Sequence, residues 1–257
     1  MPQDDTIEVR RQSFGGIADQ YDRFRPGPPD EAVEWLVPAT ASDVLEIGAG
    51  TGALTRQLVR RSAHVRAVEP DARMRAVLAA RASGAEVVAG RAEDLPAADA
   101  SVDVVIGASM WHWVEAELAL REVARVLRPG GTFSLLWNGP DRTVDWMRSL
   151  WAGGTVLSAD QIEGADAHRR ERHLVDLGSE SPFVEPARKV VRWTRPMTAD
   201  ELVGLAGTYS AIVTMSEPER RDCLQSMSRF LAAHQVPSTN GKMDVPMRCL
   251  CWRTSLR

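Results

Sequence analysis

The sequence predicts an α/β fold built on a largely parallel sheet with helices on both faces, and three observations carry that prediction. From position 43 onward, short apolar runs alternate with stretches of helical periodicity. The runs are nearly continuous in Val, Ile, Leu and Ala, as strands buried on both faces require. A glycine-rich turn, "GAGTG" at 48–52, joins the first run to the first helical stretch. Right-handed crossovers then bring the carboxyl ends of the strands, and any ligand, to one edge.

Taken in order, the strand candidates are "DVLEIGA" (43–49), "HVRAVEP" (64–70), "AEVVAG" (85–90), "VDVVIGAS" (102–109) and "TFSLLWN" (132–138). Between them, Leu54 and Leu58 share a helical face, and Asp71 can cap a helix carrying Met74, Val77 and Leu78. In "EAELALREVARVL", Ala116, Ala119, Leu120, Val123, Ala124 and Leu127 follow helical spacing, and "RPGG" is expected to end that helix. Ahead of the sheet, "PPDEAVEWLVP" reads as a helix entered through prolines and capped at Asp30. The stretch "SFGGIADQYDRFRPG" before it is less regular, a candidate lid. After 138 the rhythm breaks: "DRTVDWMRSLWAGG" looks helical and 157–182 is polar. "ARKVVRWTR" and "VPMRCLCWRT" read as two further strands, separated by a helical stretch over 217–234.

The 257 residues carry 31 basic and 35 acidic side chains, a net charge of −4, which argues against a general nucleic-acid binder. No apolar run approaches membrane-spanning length and no leader-like segment opens the chain, so a soluble cytoplasmic protein is expected. Cys223, Cys249 and Cys251 stand without partner ligands, which fits a reduced compartment. His64, His168, His173 and His234 are scattered singly, so no metal is expected.

Three glycines at alternate positions, Gly48, Gly50 and Gly52, let backbone N–H groups approach a ligand at the start of the next helix, although a tight turn alone also uses glycine. No Lys-Ser/Thr follows, which disfavours a nucleotide triphosphate. The spacing G-x-G-x-G leans away from the dinucleotide pattern. Glu69 ends the second strand roughly 20 residues beyond the loop, where an acid can accept from both ribose hydroxyls of either a dinucleotide or another nucleoside cofactor.

The residues "VLEIGAGTGALT", "VRAVEPDARM", "GRAEDLP" followed by "ASVDVVIGASMWHW", and "EVARVLRPGG" resemble, in order and spacing, the class I S-adenosylmethionine-dependent methyltransferases. The lead "FGGIADQYDRFRPGPPDEAV" and the "WHW" after strand four resemble the small-molecule branch related to bacterial trans-aconitate methyltransferases. The resemblance implies a Rossmann-like, seven-stranded, mostly parallel sheet with an antiparallel last strand. Its cofactor would be S-adenosyl-L-methionine, with S-adenosyl-L-homocysteine as product. Glu46 and the loop of Gly48, Ala49, Gly50 and Gly52 would hold the amino-acid end. Glu69 would grip the ribose, Pro70 and Met74 the adenine face, and Ala92 and Glu93 the adenine edge. Ala108 and Ser109 would lie along the cofactor, and Arg25 would pair with its carboxylate.

The organisation expected is an N-terminal helical lead or lid (1–40), the cofactor-binding core (41–138), a helical and loop insertion capping the acceptor (139–182), and C-terminal strands and helices completing the sheet (183–257). Methyl transfer to an O or N atom of a small organic metabolite, in specialised (secondary) metabolism, is the expected activity. Holding donor and acceptor in line can supply on the order of 7–11 kcal/mol, so a dedicated base is optional. His112 is the candidate base, with packing over the cofactor as its other role. Phe14, Tyr21, Phe24, Trp111, His112, Trp113, Trp137, Trp146 and Trp151 are candidates for the acceptor pocket; Trp35, Trp193 and Trp252 read as packing. The Asp/Asn-Pro-Pro-Tyr type motif of nucleobase and amide N-methyltransferases is absent after strand four. Two other readings remain at this level: an NAD(P)-dependent oxidoreductase, and a catalytically silent cofactor-binding accessory protein.

Overall fold

The computed structural model describes residues 15–152, 175–178, 181–234, 236 and 238–257. Its strands are β1 (Asp43–Ile47), β2 (His64–Val68), β3 (Ala85–Val88), β4 (Val102–Ala108), β5 (Leu127–Pro140), β6 (Ala187–Met197), β7 (Ser238–Thr239) and β8 (Lys242–Ser255). They form one sheet in the order β3-β2-β1-β4-β5-β8-β6, with β7 paired to β8. β1 to β5 pair in parallel. β8 runs against β5: the Gly130 N–H donates to the Leu256 carbonyl near one end, and the Asp141 N–H to the Pro246 carbonyl near the other. The Rossmann-like, mostly parallel sheet with an antiparallel last strand is present, and the two-residue β7 is an addition to the seven expected strands.

The helices are α1 (Ala18–Phe24), α2 (Asp30–Leu36), α3 (Thr55–Leu58), α4 (Ala72–Arg81), α5 (Ala116–Val126), α6 (Asp145–Ala152), α7 (Ala199–Ala206), α8 (Ser210–Val213) and α9 (Glu217–Ala233). No helix among the described residues is long and apolar enough to cross a membrane. The chain divides into two compact units that are discontinuous in sequence. The first, the sheet unit, comprises the described residues of Pro26–Asn138, Val175–Val191 and Cys249–Arg257; the second comprises those of Met1–Arg25, Gly139–Leu174 and Arg192–Arg248.

In the sheet unit, neighbouring positions of one strand feed opposite faces. Leu45, Ile47, Val105, Phe133 and Leu135 pack with Ala119, Val123 and Val126 of α5. Val44, Val104, Ile106 and Leu136 pack with Ala32, Val33 and Leu36 of α2 and with Leu58 of α3. Coverage on both faces is why these strands lack polar alternation. Phe133 is fully buried, with Trp111 5.2 Å, Phe183 6.0 Å and Trp252 5.4 Å away between ring centres. Burying such a ring contributes about 1.5–3 kcal/mol. At the amino ends of the strands, Arg128 bridges Asp43 and Asp103, and Asp103 accepts from the Ser42 and Asp43 amides. That network fixes the end of the sheet opposite the glycine turn.

Several local expectations need correction. The N-cap of α2 is Pro29, and Asp30 is the first helical residue, its carboxylate accepting from Arg61; the fixed φ of proline sets the entry. "RPGG" does not simply end a helix, because α5 stops at Val126 and β5 begins at Leu127. Between the pairs Val102↔Leu127 and Val104↔Thr132 the register shifts, so residues 128–131 bulge out of the ladder with Gly130 at a φ of 78°. The irregular-looking lead contains α1.

The second unit has its own core of Met147, Leu150, Trp151, Met197, Leu202, Leu205, Met227, Leu231, Met243, Val245 and Met247. Its helices α7 and α9 open with capping boxes, Thr198 with Glu201 and Ser216 with Glu219. Asn240 and Gly241, both at positive φ, turn β7 into β8. That pair suits the two-residue turn whose twist matches the flanking strands.

Candidate functional site

β1 leads through Gly48 to Gly52 into α3. A Cβ on Gly48, at a φ of 63°, would stand 2.9 Å from the Met110 side chain; one on Gly52, at 90°, would stand 2.7 Å from Leu78 Cδ1. Packing against the exit of β4 and against α4 therefore requires glycine at both positions. Gly50 differs, because its amide donates to Glu69 Oε2 at 2.8 Å. The other carboxylate oxygen of Glu69 accepts from the Asp71 amide at 3.0 Å. Each oxygen keeps a lone pair for a further donor. Burial pushes the Glu69 carboxyl up from its ordinary value, and the two amide bonds oppose that shift.

Glu46, buried at the end of β1, accepts from Thr55 Oγ1 at 2.6 Å. Burial pushes its carboxyl up to about 8, the Thr55 bond opposes this, and the neighbouring Glu69 adds to it. The Ala49 amide donates to the Val68 carbonyl at 3.1 Å, tying the loop to β2. Arg56 Nη1 donates to the Thr51 carbonyl at 3.1 Å.

Beyond β2, Asp71 caps α4 by accepting from the Arg73 and Met74 amides, as its sequence position predicts. Arg75 donates to the carbonyls of Glu69 and Pro70, which fixes the strand exit. Pro70 is exposed and Met74 buried. Beyond β3, Ala92 is buried and Glu93 Oε1 accepts from the Glu115 amide at 2.9 Å. Arg125 on α5 donates to the Leu95 and Ala97 carbonyls and pairs with Glu122 and Asp99, pinning this loop.

At the exit of β4, Ala108 and Ser109 are half-buried. The Ser109 amide donates to the Leu136 carbonyl at 2.8 Å while its φ is 54°. A non-glycine residue in that region costs roughly 1–2 kcal/mol, and such strain collects at working sites. Trp111–Trp113 form one turn of 3₁₀-helix. Trp111 is a core residue, His112 is exposed with its ring 4.5 Å from that of Trp113, and Trp113 is half-buried. Trp137, near the carboxyl end of β5, is half-buried on the face carrying Trp111. Asn138 Nδ2 donates to the Gly27 carbonyl at 3.1 Å and Gln57 Nε2 to that of Pro28 at 2.7 Å, clamping the lead onto this edge.

The remaining candidates lie in the second unit. Arg25 donates through Nε to Thr208 Oγ1 at 2.9 Å and through Nη2 to the Thr208 carbonyl at 3.1 Å, with its guanidinium 3.9 Å over the Tyr209 ring and 5.1 Å over that of Tyr21. Phe24 lies against Gly204. Trp146 and Trp151 belong to this unit's core cluster. Phe14 falls outside the described residues, as do His168, His173 and positions 153–174 and 179–180 of the 139–182 segment. Among the described residues no group of three or more His, Cys, Asp and Glu is placed to hold a metal.

Polar atoms left over at the carboxyl ends test the fit to a nucleoside cofactor. Thr51 Oγ1 and Glu93 Oε2 are buried without a hydrogen-bond partner; Arg91 Nε lies 3.6 Å from the latter, beyond hydrogen-bond range. A buried polar group left unpaired costs about 1–3 kcal/mol. With Glu46 and Glu69 they place three carboxylates and a hydroxyl along the ends of β1, β2 and β3. That set suits the ammonium, ribose diol and adenine amine of S-adenosylmethionine, all donors.

A parallel sheet with this strand order, an acid closing β2 and a glycine turn after β1 define a class I S-adenosylmethionine-dependent methyltransferase. The chain belongs to that family. Residues 45–135 match the family model described as a methyltransferase domain. An uncharacterized methyltransferase of Mycobacterium bovis is 38% identical over 244 residues, 95% of this chain and 96% of that protein. An uncharacterized methyltransferase-like protein of Schizosaccharomyces pombe is 34% identical over 252 residues, 96% and 94% of the two chains. Among solved structures, a putative type II methyltransferase from Anaeromyxobacter dehalogenans superposes with a TM-score of 0.65 at 23% identity, covering 91% of this chain and 98% of that one. The cofactor is S-adenosylmethionine.

Sequence reasoning named Ser109 but not its left-handed backbone, and it missed Thr51 and the Arg125, Gln57 and Asn138 side chains that fix the loops. Only Thr51 carried a sequence signal, its place inside the glycine turn.

Proposed function

We propose that the chain methylates an O or N atom of a small organic metabolite. The observation that carries this reading is the exit of β4: "ASMWHW" forms a strained residue and a 3₁₀ turn bearing Trp, His and Trp where enzymes acting on nucleobases and amides carry an Asp/Asn-Pro-Pro-Tyr type motif. The net charge of −4 supports it, since a polyanionic substrate would meet a repulsive field.

When bound, S-adenosylmethionine supplies a methyl group on a positively charged sulfur, already activated for in-line displacement. Glu69 would accept from the ribose hydroxyls, its carboxylate held in place by the Gly50 and Asp71 amides. Glu46 would face the ammonium, and Glu93 would meet the adenine amine. His112, exposed beside Trp113, would orient an acceptor or remove its proton. The small-molecule branch related to trans-aconitate methyltransferases, a role in specialised metabolism and a cytoplasmic location belong to the same proposal.

Incubation with S-adenosylmethionine labelled in the methyl group, over panels of organic acids, phenols and amines and over DNA, RNA and protein, tests the reading. Label is expected in a small product. Label confined to a macromolecule contradicts it.

A further inference from the structure

The Trp137 indole N–H is buried without a hydrogen-bond partner. Its place is set by register. Ala108 pairs with Leu136, and the Ser109 amide donates to the Leu136 carbonyl, so Trp137 is the first residue of β5 beyond that ladder. Leu136 and Asn138 face the α2 side and the lead, whereas Trp137 faces the side of Trp111. The ring thus stands at the carboxyl end of β5, next to the strained exit of β4.

We propose that this N–H is a specificity-determining donor to an oxygen of the methyl acceptor, which makes the acceptor an oxygen compound with an apolar, ring-bearing body. The inference rests on the methyltransferase reading and deepens it. The argument is one of polarity along the sheet edge. On the β1, β2 and β3 side the protein offers the carboxylates of Glu46, Glu69 and Glu93, which suit the donor groups of the cofactor. Trp137 offers the reverse, a donor, and lies across the switch point in the order β1-β4-β5. An indole N–H can only donate, so its partner must be an acceptor atom. The surrounding Trp111 and the ring of Trp137 itself favour an apolar body.

Trp137→Phe keeps a ring and removes the donor. The variant gives up some packing against the core cluster, so it is expected to melt somewhat lower while staying folded. It should bind S-adenosylhomocysteine within about twofold of wild type by calorimetry. In the wild-type protein saturated with S-adenosylhomocysteine, millimolar benzoate, a probe joining a ring to acceptor oxygens, should move the Trp137 indole proton downfield in a proton–nitrogen correlation spectrum. The variant identifies that signal by its disappearance. A several-fold loss of S-adenosylhomocysteine affinity would assign the N–H to the cofactor. An indole signal that ignores benzoate would remove the acceptor oxygen. Either of these two results overturns the proposal. Failure of the wild type to bind S-adenosylhomocysteine would instead overturn the methyltransferase reading beneath it.

Discussion

The Gly50 amide donates to the Glu69 carboxylate across 2.8 Å, so the turn after β1 and the acid closing β2 form one rigid piece. Two motifs that stand 19 residues apart are a single hydrogen-bonded device. Glu69→Ala removes the proposed ribose acceptor and leaves the Gly50 amide without its partner. Charge-assisted bonds contribute about 1.5–3 kcal/mol, so affinity for S-adenosylhomocysteine should fall roughly 10- to 100-fold. The circular dichroism spectrum should stay unchanged. Unaltered affinity by calorimetry contradicts the ribose assignment.

The proposed contact between Glu46 and the cofactor's ammonium should make binding depend on pH. Its carboxyl holds a proton up to about 8, and a bound ammonium favours the carboxylate instead. Binding of S-adenosylmethionine below that pH should release a proton, so affinity should rise with pH and level off above about 8. Calorimetry in two buffers of different ionisation enthalpy reads the proton directly. Glu46→Gln should flatten the profile.

The same shift acts on stability with a definite sign. The folded chain keeps the Glu46 proton where the unfolded chain, titrating near 4.5, has lost it. This group's contribution is fully present below 4.5 and is lost as pH rises through about 8. The ligand-free protein should therefore melt progressively lower over that window, and Glu46→Gln should lessen the slope. A wild-type melting curve whose slope matches the variant's contradicts the account.

Gly52→Ala places a Cβ 2.7 Å from Leu78 Cδ1 at a φ of 90°. Overpacking and backbone strain each cost about 1–3 kcal/mol, and urea titration should show a loss of that order. Adding Leu78→Ala should not restore the wild-type midpoint, because the backbone strain persists and a core side chain is lost. An unchanged midpoint in the single variant shows that the turn can open.

His112→Ala separates the two roles of that residue. Removing a proton-transfer group costs roughly 10²–10⁴ in turnover. The account predicts such a loss with S-adenosylhomocysteine affinity unchanged, since the ring is exposed. A parallel fall of turnover and affinity assigns His112 to packing on the cofactor.

Local rules made much of this legible. Asp71 caps α4 because the signal lies within three residues of the groups it serves, and the five parallel strands follow from apolar runs buried on two faces. The two-unit division was not legible, since residues far apart in the chain share each core. Arg125 reached loop carbonyls 28 and 30 residues away, a partner choice set by tertiary packing. Gly48 and Gly52 taught a different lesson: their side-chain neighbours, Met110 and Leu78, lie on other elements, and those contacts require glycine before any ligand arrives. Asn240-Gly241 is a missed local signal, a strong hairpin pair that the strand reading passed over.

Isothermal titration of the full chain with S-adenosylmethionine, S-adenosylhomocysteine and NADH in one buffer tests the central claim most directly. The account predicts micromolar binding of the first two and none of the third. Binding of NADH alone contradicts it, and would mean that Gly50 and Glu69 hold a dinucleotide.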